Sequence, residues 1–220
     1  MTNISNRDRE VFENLFVLEM ANNHWGKLER GLKLIRDHGT IVRFNNIKAA
    51  IKLQFRDVAN FIHESYASDD ERYIAKTRST ALSKDQFKVL IDAIREAGCI
   101  PMSTPFDEAS VDLCEEFDFG LIKIASSDIN DWPLIERIAE TRIPVIVSTG
   151  GASLEDIDNI AEFFNHRAIP LAINHCVSLY PSEDSDLEVN QIDFLKRRYP
   201  DNVIGFSTHE KTSWDASMYL

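Results

Sequence analysis

The chain has 220 residues, of which 44% are hydrophobic, and its 36 acidic and 24 basic residues give a formal net charge of −12. This length supports one large core, whereas the acidic surplus disfavours a broad surface for nucleic acid or anionic lipid. The three scattered cysteines and the lack of an apolar run of about 18 residues indicate neither a disulfide framework nor a membrane span. We expect a globular, cytoplasmic protein without nucleic-acid or membrane partners.

The first predicted unit is a strand, a polar loop and a helix. The apolar strand Phe16–Met20 carries Glu19 near its end, and the polar run Asn22–His24 follows it. Apolar residues at helical spacing predict a helix over Lys27–His38, with Gly39 as its C-cap.

The second strand, Ala49–Phe55, encloses Lys52 among apolar residues, and alternation places Gln54 on the same face. A long connection, Arg56–Leu82, then has the length of a lid or binding loop. Ser83 and Gln86 form a capping box for a helix that continues to about Ala97.

The third strand, Cys99–Ser103, leads to Thr104 and to Asp107, which can cap the next helix. The fourth strand lies in Leu121–Asp128 and encloses Lys123. A lone ammonium is costly to bury, so Lys52 and Lys123 each require an anionic partner. Two buried lysines can share one polyanionic ligand, and the alternative is that each pairs with an Asp or Glu in the core.

The remaining chain continues the alternation of helix and strand. We predict these elements in order: helix Trp132–Thr141, strand Pro144–Ser148, a helix opened by Ser153, strand Ala168–Cys176, helix Val189–Arg198, strand Val203–Phe206 and helix Trp214–Leu220. After the Pro144–Ser148 strand, Thr149-Gly150-Gly151 precedes a helix start, which is the pattern of an anion-binding loop. His175 is either a packed core histidine or a ligand-binding one.

Seven strands alternating with helices predict parallel βα units, and the polar clusters follow strands rather than precede them. This is the layout of an α/β fold of the (β/α)8 TIM-barrel class, incomplete with seven of eight strands present. A doubly wound open sheet is the alternative, although its ligand groups would gather at one switch point.

The sequence resembles the sialic acid synthase family, which includes N-acetylneuraminate, legionaminic acid and pseudaminic acid synthases. The matching runs cover nearly the whole chain: Glu19–His24, Ile51–Gln54, Ser103–Asp107, Ile122–Ser126, Ser148–Gly150, His175–Pro181 and Gly205–His209. The resemblance implies condensation of phosphoenolpyruvate with an N-acylated amino-sugar aldehyde such as N-acetylmannosamine, with Mn²⁺ or Mg²⁺ as cofactor. It also implies a homodimer at full length.

By motif position, the resemblance assigns site residues. The residues implied to bind phosphoenolpyruvate are Lys52, Thr104, Lys123, Ser126, Ser148, Ser178 and Ser207. Glu19, Asp128 and Lys123 are implied to be catalytic, and His209 to be one of two metal-binding histidines. The sugar side is implied to involve Glu19, Asn23, Gln54 and Tyr180.

The sequence departs from the family pattern in two motifs, with Thr208 where the family usually has Asp and Ser127 where it usually has Gly. We expect residues 1–220 to be a fragment that lacks the eighth strand, the second metal histidine and the antifreeze-like C-terminal domain, and to be inactive alone. Two other functions stay open at this point: a Schiff-base aldolase that uses Lys123 or Lys52, and a non-catalytic ligand-binding module.

Overall fold

The computed structural model describes residues 9–66, 71–210 and 213–219. The chain divides into two compact units. Among the described residues, the first unit lies within Asn14–Ile122, and the second unit lies within Lys123–Leu220 together with residues 9–13.

The strands follow chain order, β1 to β7, and the described pairings are parallel. Their bounds are Leu15–Glu19, Lys48–Phe55, Ile100–Pro105, Leu121–Ile124, Val145–Ser148, Leu171–Cys176 and Val203–Ser207. Helices occupy the connections, so the predicted α/β fold of an incomplete (β/α)8 barrel with seven strands is confirmed.

The α-helices α1 to α9 of the described chain are Leu28–Asn45, Val58–Phe61, Arg72–Ser79, Lys84–Glu96, Glu108–Glu116, Trp132–Thr141, Leu154–His166, Asn190–Arg198 and Asp215–Tyr219. Several of them start where the sequence predicts. Ser83 with Gln86 and Ser153 with Asp156 form capping boxes, and the carboxylate of Asp107 accepts a hydrogen bond from the Ser110 amide. None of the described helices combines the length and apolar character needed to cross a bilayer.

The prediction that Gly39 ends the first helix is wrong. Helix α1 continues to Asn45, and Asn46 in the left-handed conformation (φ 50°) is its C-cap. Gly39 is buried, and a Cβ on it would lie 2.7 Å from the Cβ of Ala97. The glycine therefore permits close packing against the end of α4 rather than a chain reversal.

The connection Arg56–Leu82 is not a structureless loop in its described part. It holds α2, a 3₁₀ turn at Glu64–Tyr66, and α3. Helix α3 is capped by the carboxylate of Glu71, which accepts a hydrogen bond from the Tyr73 amide at 3.0 Å. Residues 67–70 of the predicted loop lie outside the described chain.

The core of the first unit lies between its strands and the helices that follow them. Phe55 is 1% exposed and makes edge-to-face contacts with Phe87 on α4 and with Phe119, at centroid distances of 4.7 and 5.4 Å. Because neighbouring residues of a strand point to opposite faces, Lys52 and Gln54 lie on the face opposite Phe55.

The second unit has its own core, in which α6 and α7 bury aliphatic side chains. Leu134, Ile138, Ile160 and Phe164 are each 1% exposed or less. In the strands of this unit, Ser148 is in register with Asn174, and Asn174 is in register with Gly205. These residues share a face because the strands are parallel and paired residues point the same way.

Candidate active site

Lys52 is the central residue of the polar face in the first unit. Its side chain is almost fully buried, and its ammonium forms an ion pair with the Glu19 carboxylate and donates a hydrogen bond to Thr104 Oγ1 at 3.3 Å. Strand register explains this meeting, since Glu19 and Lys52 are Cα partners and Thr104 is paired with Gln54, two residues further on. The sequence left two possible partners for Lys52, a polyanionic ligand or an Asp or Glu side chain. The structure contains the second, the carboxylate of Glu19.

The loop after β1 is attached to the same strand. The amides of Met20 and Ala21 both donate to the carbonyl oxygen of Lys52, at 3.0 and 3.3 Å. Within this loop Asn23 is exposed, and its carbonyl accepts a hydrogen bond from Arg30 Nε at 2.6 Å. The loop that carries Asn23 is thereby attached to β2 at Lys52.

His24, next in this loop, is 2% exposed, and its Nδ1 accepts a hydrogen bond from the Gly26 amide at 3.1 Å. Burial lowers the pKa of His24 below its ordinary value of 6.5. A buried neutral imidazole that accepts a backbone hydrogen bond supports the loop, and this accounts for its place in the polar cluster.

Gln54 lines an open pocket of the first unit with about 350 Å³ of empty space. The other polar lining groups are Asn22, Arg56, Thr77 and Thr80, so residues of β2, of the β1 loop and of the end of α3 all contribute. Arg56 Nη1 donates to Gln54 Oε1 at 3.0 Å and the guanidinium lies 3.8 Å from the centroid of Phe106. The predicted long loop thus brings Thr77 and Thr80 to Gln54, which sequence reasoning did not predict.

The second unit gathers hydroxyl groups around Gly150. A Cβ on Gly150 would lie 2.5 Å from Ser178 Oγ, 3.3 Å from Cys176 Sγ and 3.4 Å from Ser126 Oγ. The glycine therefore leaves space that two predicted site hydroxyls border. Sequence analysis predicted Ser126 and Ser178 separately, and the structure brings them together.

Ser148, at the end of β5, is 1% exposed, and its Oγ has no hydrogen-bond partner among the described residues. A buried hydroxyl without a partner is uncommon, because it loses its hydrogen bonds to water without replacing them. Ser207 is paired with Cys176, and alternation places both on the same face as Ser148. These residues therefore share a polar face, on which the Oγ of Ser148 has unused hydrogen-bonding capacity.

Lys123 is less buried than predicted. Its side chain is partly exposed, whereas the neighbouring Ile122 and Ile124 are fully buried on the opposite face of β4. The prediction of two buried lysines therefore holds for Lys52 and is wrong for Lys123. After β4 the chain forms a 3₁₀ turn, in which Ser127 Oγ donates to Asp128 Oδ1 at 2.7 Å.

Tyr180 and His209 come together although they are distant in sequence. Their ring centroids are 4.2 Å apart, both residues are exposed, and the His209 carbonyl accepts a hydrogen bond from the Ser182 amide at 3.0 Å. Across the described ranges, no three His, Cys, Asp or Glu side chains converge as a metal site would require. His209 by itself does not constitute a metal centre.

His175 is a packed histidine. Its Nε2 lies 2.8 Å from the carbonyl oxygen of Leu187, and its ring stacks on Phe206 with the centroids 6.0 Å apart. It points away from the face that carries Cys176, so the two residues do not share a ligand, as strand alternation predicts.

The chain has relatives among known protein families. The NeuB family matches residues 42–218. The chain belongs to the NeuB family. Among curated relatives of this NeuB-family chain, the N-acetylneuraminate-9-phosphate synthase of Drosophila melanogaster is 28% identical over 88% of the chain, and a pseudaminic acid synthase of Campylobacter jejuni is 29% identical over 93%.

A solved structure extends this similarity to three dimensions. The spore coat polysaccharide biosynthesis protein E of Chromobacterium violaceum is 42% identical, with a TM-score of 0.88 over 91% of this chain and 60% of its own. The NeuB-family chain also covers 53% and 60% of the two curated relatives, so it spans little more than half of their length. Several of its curated relatives, these two among them, are named as synthases of sugar acids.

Proposed function

We propose that the protein to which this NeuB-family sequence belongs condenses phosphoenolpyruvate with an N-acylated amino-sugar aldehyde, giving a nonulosonic acid and inorganic phosphate. The observation that carries the proposal is the buried ammonium of Lys52, in a chain of the NeuB family that has sugar-acid synthases among its curated relatives. Phosphoenolpyruvate carries a phosphate and a carboxylate, and a buried cation inside β2, level with the end of β1, is suited to such a ligand.

Binding of the anionic substrate, phosphoenolpyruvate, is assigned to lysine and hydroxyl side chains. In the first unit, Lys52 and Thr104 bind its anionic groups, with Glu19 as the counterion of Lys52 before the substrate arrives. Lys123 and the hydroxyls of Ser126, Ser148, Ser178 and Ser207 are assigned to the same substrate on the family resemblance. The unpartnered Oγ of Ser148 and the space at Gly150 support these assignments, because both leave hydrogen-bonding groups for a ligand.

The reaction follows from the electron-rich C3 of the enol phosphate. C3 attacks the aldehyde carbon, a carbon–carbon bond forms, the aldehyde oxygen takes up a proton from a carboxylic acid to become a hydroxyl, and positive charge develops at C2. Water adds at C2, its proton passes to a carboxylate, and the tetrahedral intermediate expels phosphate and leaves a ketone. Glu19 and Asp128 are the carboxylates that we assign to proton transfer, and Lys52 and Lys123 balance the negative charge.

Sugar binding is assigned to Glu19, Asn23, Gln54 and Tyr180. The pocket beside Gln54 supports this, because amide and hydroxyl groups line it together with apolar ones. His209 remains a proposed ligand for Mn²⁺ or Mg²⁺, an ion that would polarise a carbonyl when bound, and no step above depends on it. The homodimer and the C-terminal domain also remain predictions from family resemblance.

The test is phosphate release by the full-length protein from phosphoenolpyruvate and N-acetylmannosamine with added Mn²⁺. We expect release of phosphate that requires both substrates, and a nine-carbon 2-keto acid as product by mass spectrometry. Borohydride treatment in the presence of pyruvate separates this reaction from a Schiff-base aldolase. A covalent adduct on Lys52 or Lys123 without sugar-dependent phosphate release would contradict the proposal.

A further inference from the structure

One polar side chain on the face described above has no role in the proposed function. Asn174 lies on β6, in register with Ser148 of β5 and Gly205 of β7. Its backbone carbonyl accepts hydrogen bonds from the Thr149 amide and hydroxyl, at 3.1 and 3.2 Å. The backbone of Asn174 therefore anchors the loop that leads to Gly150, while its side chain points to the polar face.

Gly205 makes room for this side chain. A Cβ on Gly205 would lie 2.4 Å from Asn174 Oδ1, 3.2 Å from Cγ and 3.8 Å from Nδ2. Since a real Cβ does not approach so closely, any other residue at position 205 would displace the amide. The oxygen end of the amide lies over β7, and Nδ2 is the end further from it.

The amide has unused hydrogen-bonding capacity. Asn174 is partly exposed, and none of the hydrogen bonds among the described residues uses its Oδ1 or Nδ2. Its neighbour in register, Ser148, has a fully buried Oγ that is also unpartnered within the described chain. Adjacent strands are about 4.8 Å apart, so one ligand oxygen can reach donors on both.

We propose that Asn174 is a further phosphoenolpyruvate-binding residue, whose Nδ2 donates a hydrogen bond to an anionic oxygen of that substrate beside the hydroxyl of Ser148. The inference rests on the proposed function. Cys176, two residues further along the same face, borders Gly150 together with Ser126 and Ser178, so the amide faces the same side as the proposed hydroxyls. An amide supplies a donor without adding a charge.

The experiment is a titration of the full-length protein with phosphoenolpyruvate by calorimetry. Asn174→Ala removes the donor, and we expect the dissociation constant to rise about ten- to a hundredfold, as for a hydrogen bond to a charged group. Asn174→Asp keeps the shape but replaces the donor with a like charge, and we expect a larger loss. Asn45→Ala, on an exposed asparagine of α1, is the control, and its affinity should equal that of the wild type.

A double-mutant cycle separates the loss of the hydrogen-bond donor from an effect of the substitution at position 174 on packing. Gly205→Ala should weaken binding in the wild-type background by displacing the amide, and should add nothing once Asn174→Ala has removed it. Titration with inorganic phosphate assigns the contact, because a loss with both ligands indicates the phosphate and a loss with phosphoenolpyruvate alone indicates the carboxylate.

Two results would overturn the inference alone. They are an unchanged affinity of folded Asn174→Ala for phosphoenolpyruvate, and an equal effect of Gly205→Ala in both backgrounds. A wild-type protein that neither binds phosphoenolpyruvate nor releases phosphate from it would overturn the proposed function as well.

Discussion

The two units of the molecule place different chemistry at equivalent positions of the same βα architecture. On the polar face of β1 and β2 in the first unit, a charged pair dominates: the buried Lys52 ammonium and the Glu19 carboxylate. In the second unit, neutral hydroxyls and a glycine dominate, around Gly150 and Ser148. The buried ion pair therefore concentrates charge in the first unit, whereas the surroundings of Gly150 in the second unit offer shape and directed hydrogen bonds.

The largest effect is expected from the charged pair. Lys52→Met leaves the Glu19 carboxylate without its buried partner and beside the proposed substrate, so affinity for phosphoenolpyruvate should fall by at least about a hundredfold. Calorimetry on the full-length protein measures this. Lys33→Met is the matched control, since Lys33 is exposed and paired with Asp37 on the surface of α1. Equal affinities for the two variants would contradict a role for charge in the first unit.

A smaller effect is expected from the hydroxyl cluster. Gly150→Ala places a Cβ 2.5 Å from Ser178 Oγ, so the cluster must rearrange, and we expect about a tenfold loss of phosphoenolpyruvate affinity. Ser178→Ala in the same protein removes the clash together with one donor. If Gly150→Ala alone binds phosphoenolpyruvate as tightly as the wild type, the space beside Gly150 is not needed for binding.

His24 allows the stability of the first unit to be tested through pH. Burial lowers its folded pKa below 6.5, so the unfolded chain takes up a proton first, and stability is lost as pH falls from 6.5 toward the folded pKa. We expect His24→Gln to reduce this loss of unfolding free energy between pH 7.5 and pH 5.5, measured by urea unfolding. His38, whose pKa is also lowered by burial, should account for part of the remaining slope. An unchanged slope would show that His24 binds its proton as readily in the folded protein as in the unfolded chain, which contradicts a lowered pKa.

The smallest effect is expected from a surface network of the second unit. The Asp158 carboxylate pairs with Arg198 and accepts a hydrogen bond from the Tyr199 hydroxyl at 2.7 Å, and the Arg198 hydrogen bond lowers the pKa of Asp158. Because the folded pKa is depressed below 3.8, this stabilisation is present at neutral pH and is lost as pH falls through the folded pKa. Asp158→Asn should cost about 0.5–1 kcal/mol of unfolding free energy at pH 7.

Asp158→Asn is also a control for the ligand-binding variants, since it should not change the affinity for phosphoenolpyruvate. Thermal unfolding in low salt and in 1 M NaCl measures the contribution of the Asp158–Arg198 ion pair to stability. This contribution should shrink as the salt screens the two charges. A loss above about 2 kcal/mol, or a loss of ligand affinity, would contradict a purely surface role.

The parts of the fold that depend on local chemistry were predictable from sequence. Capping residues such as Ser83 and Ser153 satisfy amides within three residues, so helix starts were predicted to within a residue. Gly39 was misinterpreted because its role depends on Ala97, more than fifty residues away. Helix α3 was missed because its polar sequence, Arg72–Ser79, has no buried residue and so no apolar periodicity.

The site shows the same division between local and distant information. Family-like runs located Lys52, Ser126, Ser148 and Ser178, but no pattern in the sequence indicates that two serines border Gly150. Asn174 carried no signal either, since a single asparagine in a strand is unremarkable until Gly205 is known to lie beside it. Strand register creates both contacts, and register is a property of the folded sheet.

Helix α1 illustrates what such a long-range contact demands. It contains two interior glycines, Gly31 and Gly39, which face Leu90 and Ala97 of the α4 region, and glycine is among the poorest helix formers. The isolated segment would therefore have little tendency to become helical in water. Its eighteen residues depend on a neighbouring surface for their conformation, so α1 and α4 are expected to form together, as one cooperative unit of folding rather than as two independent ones.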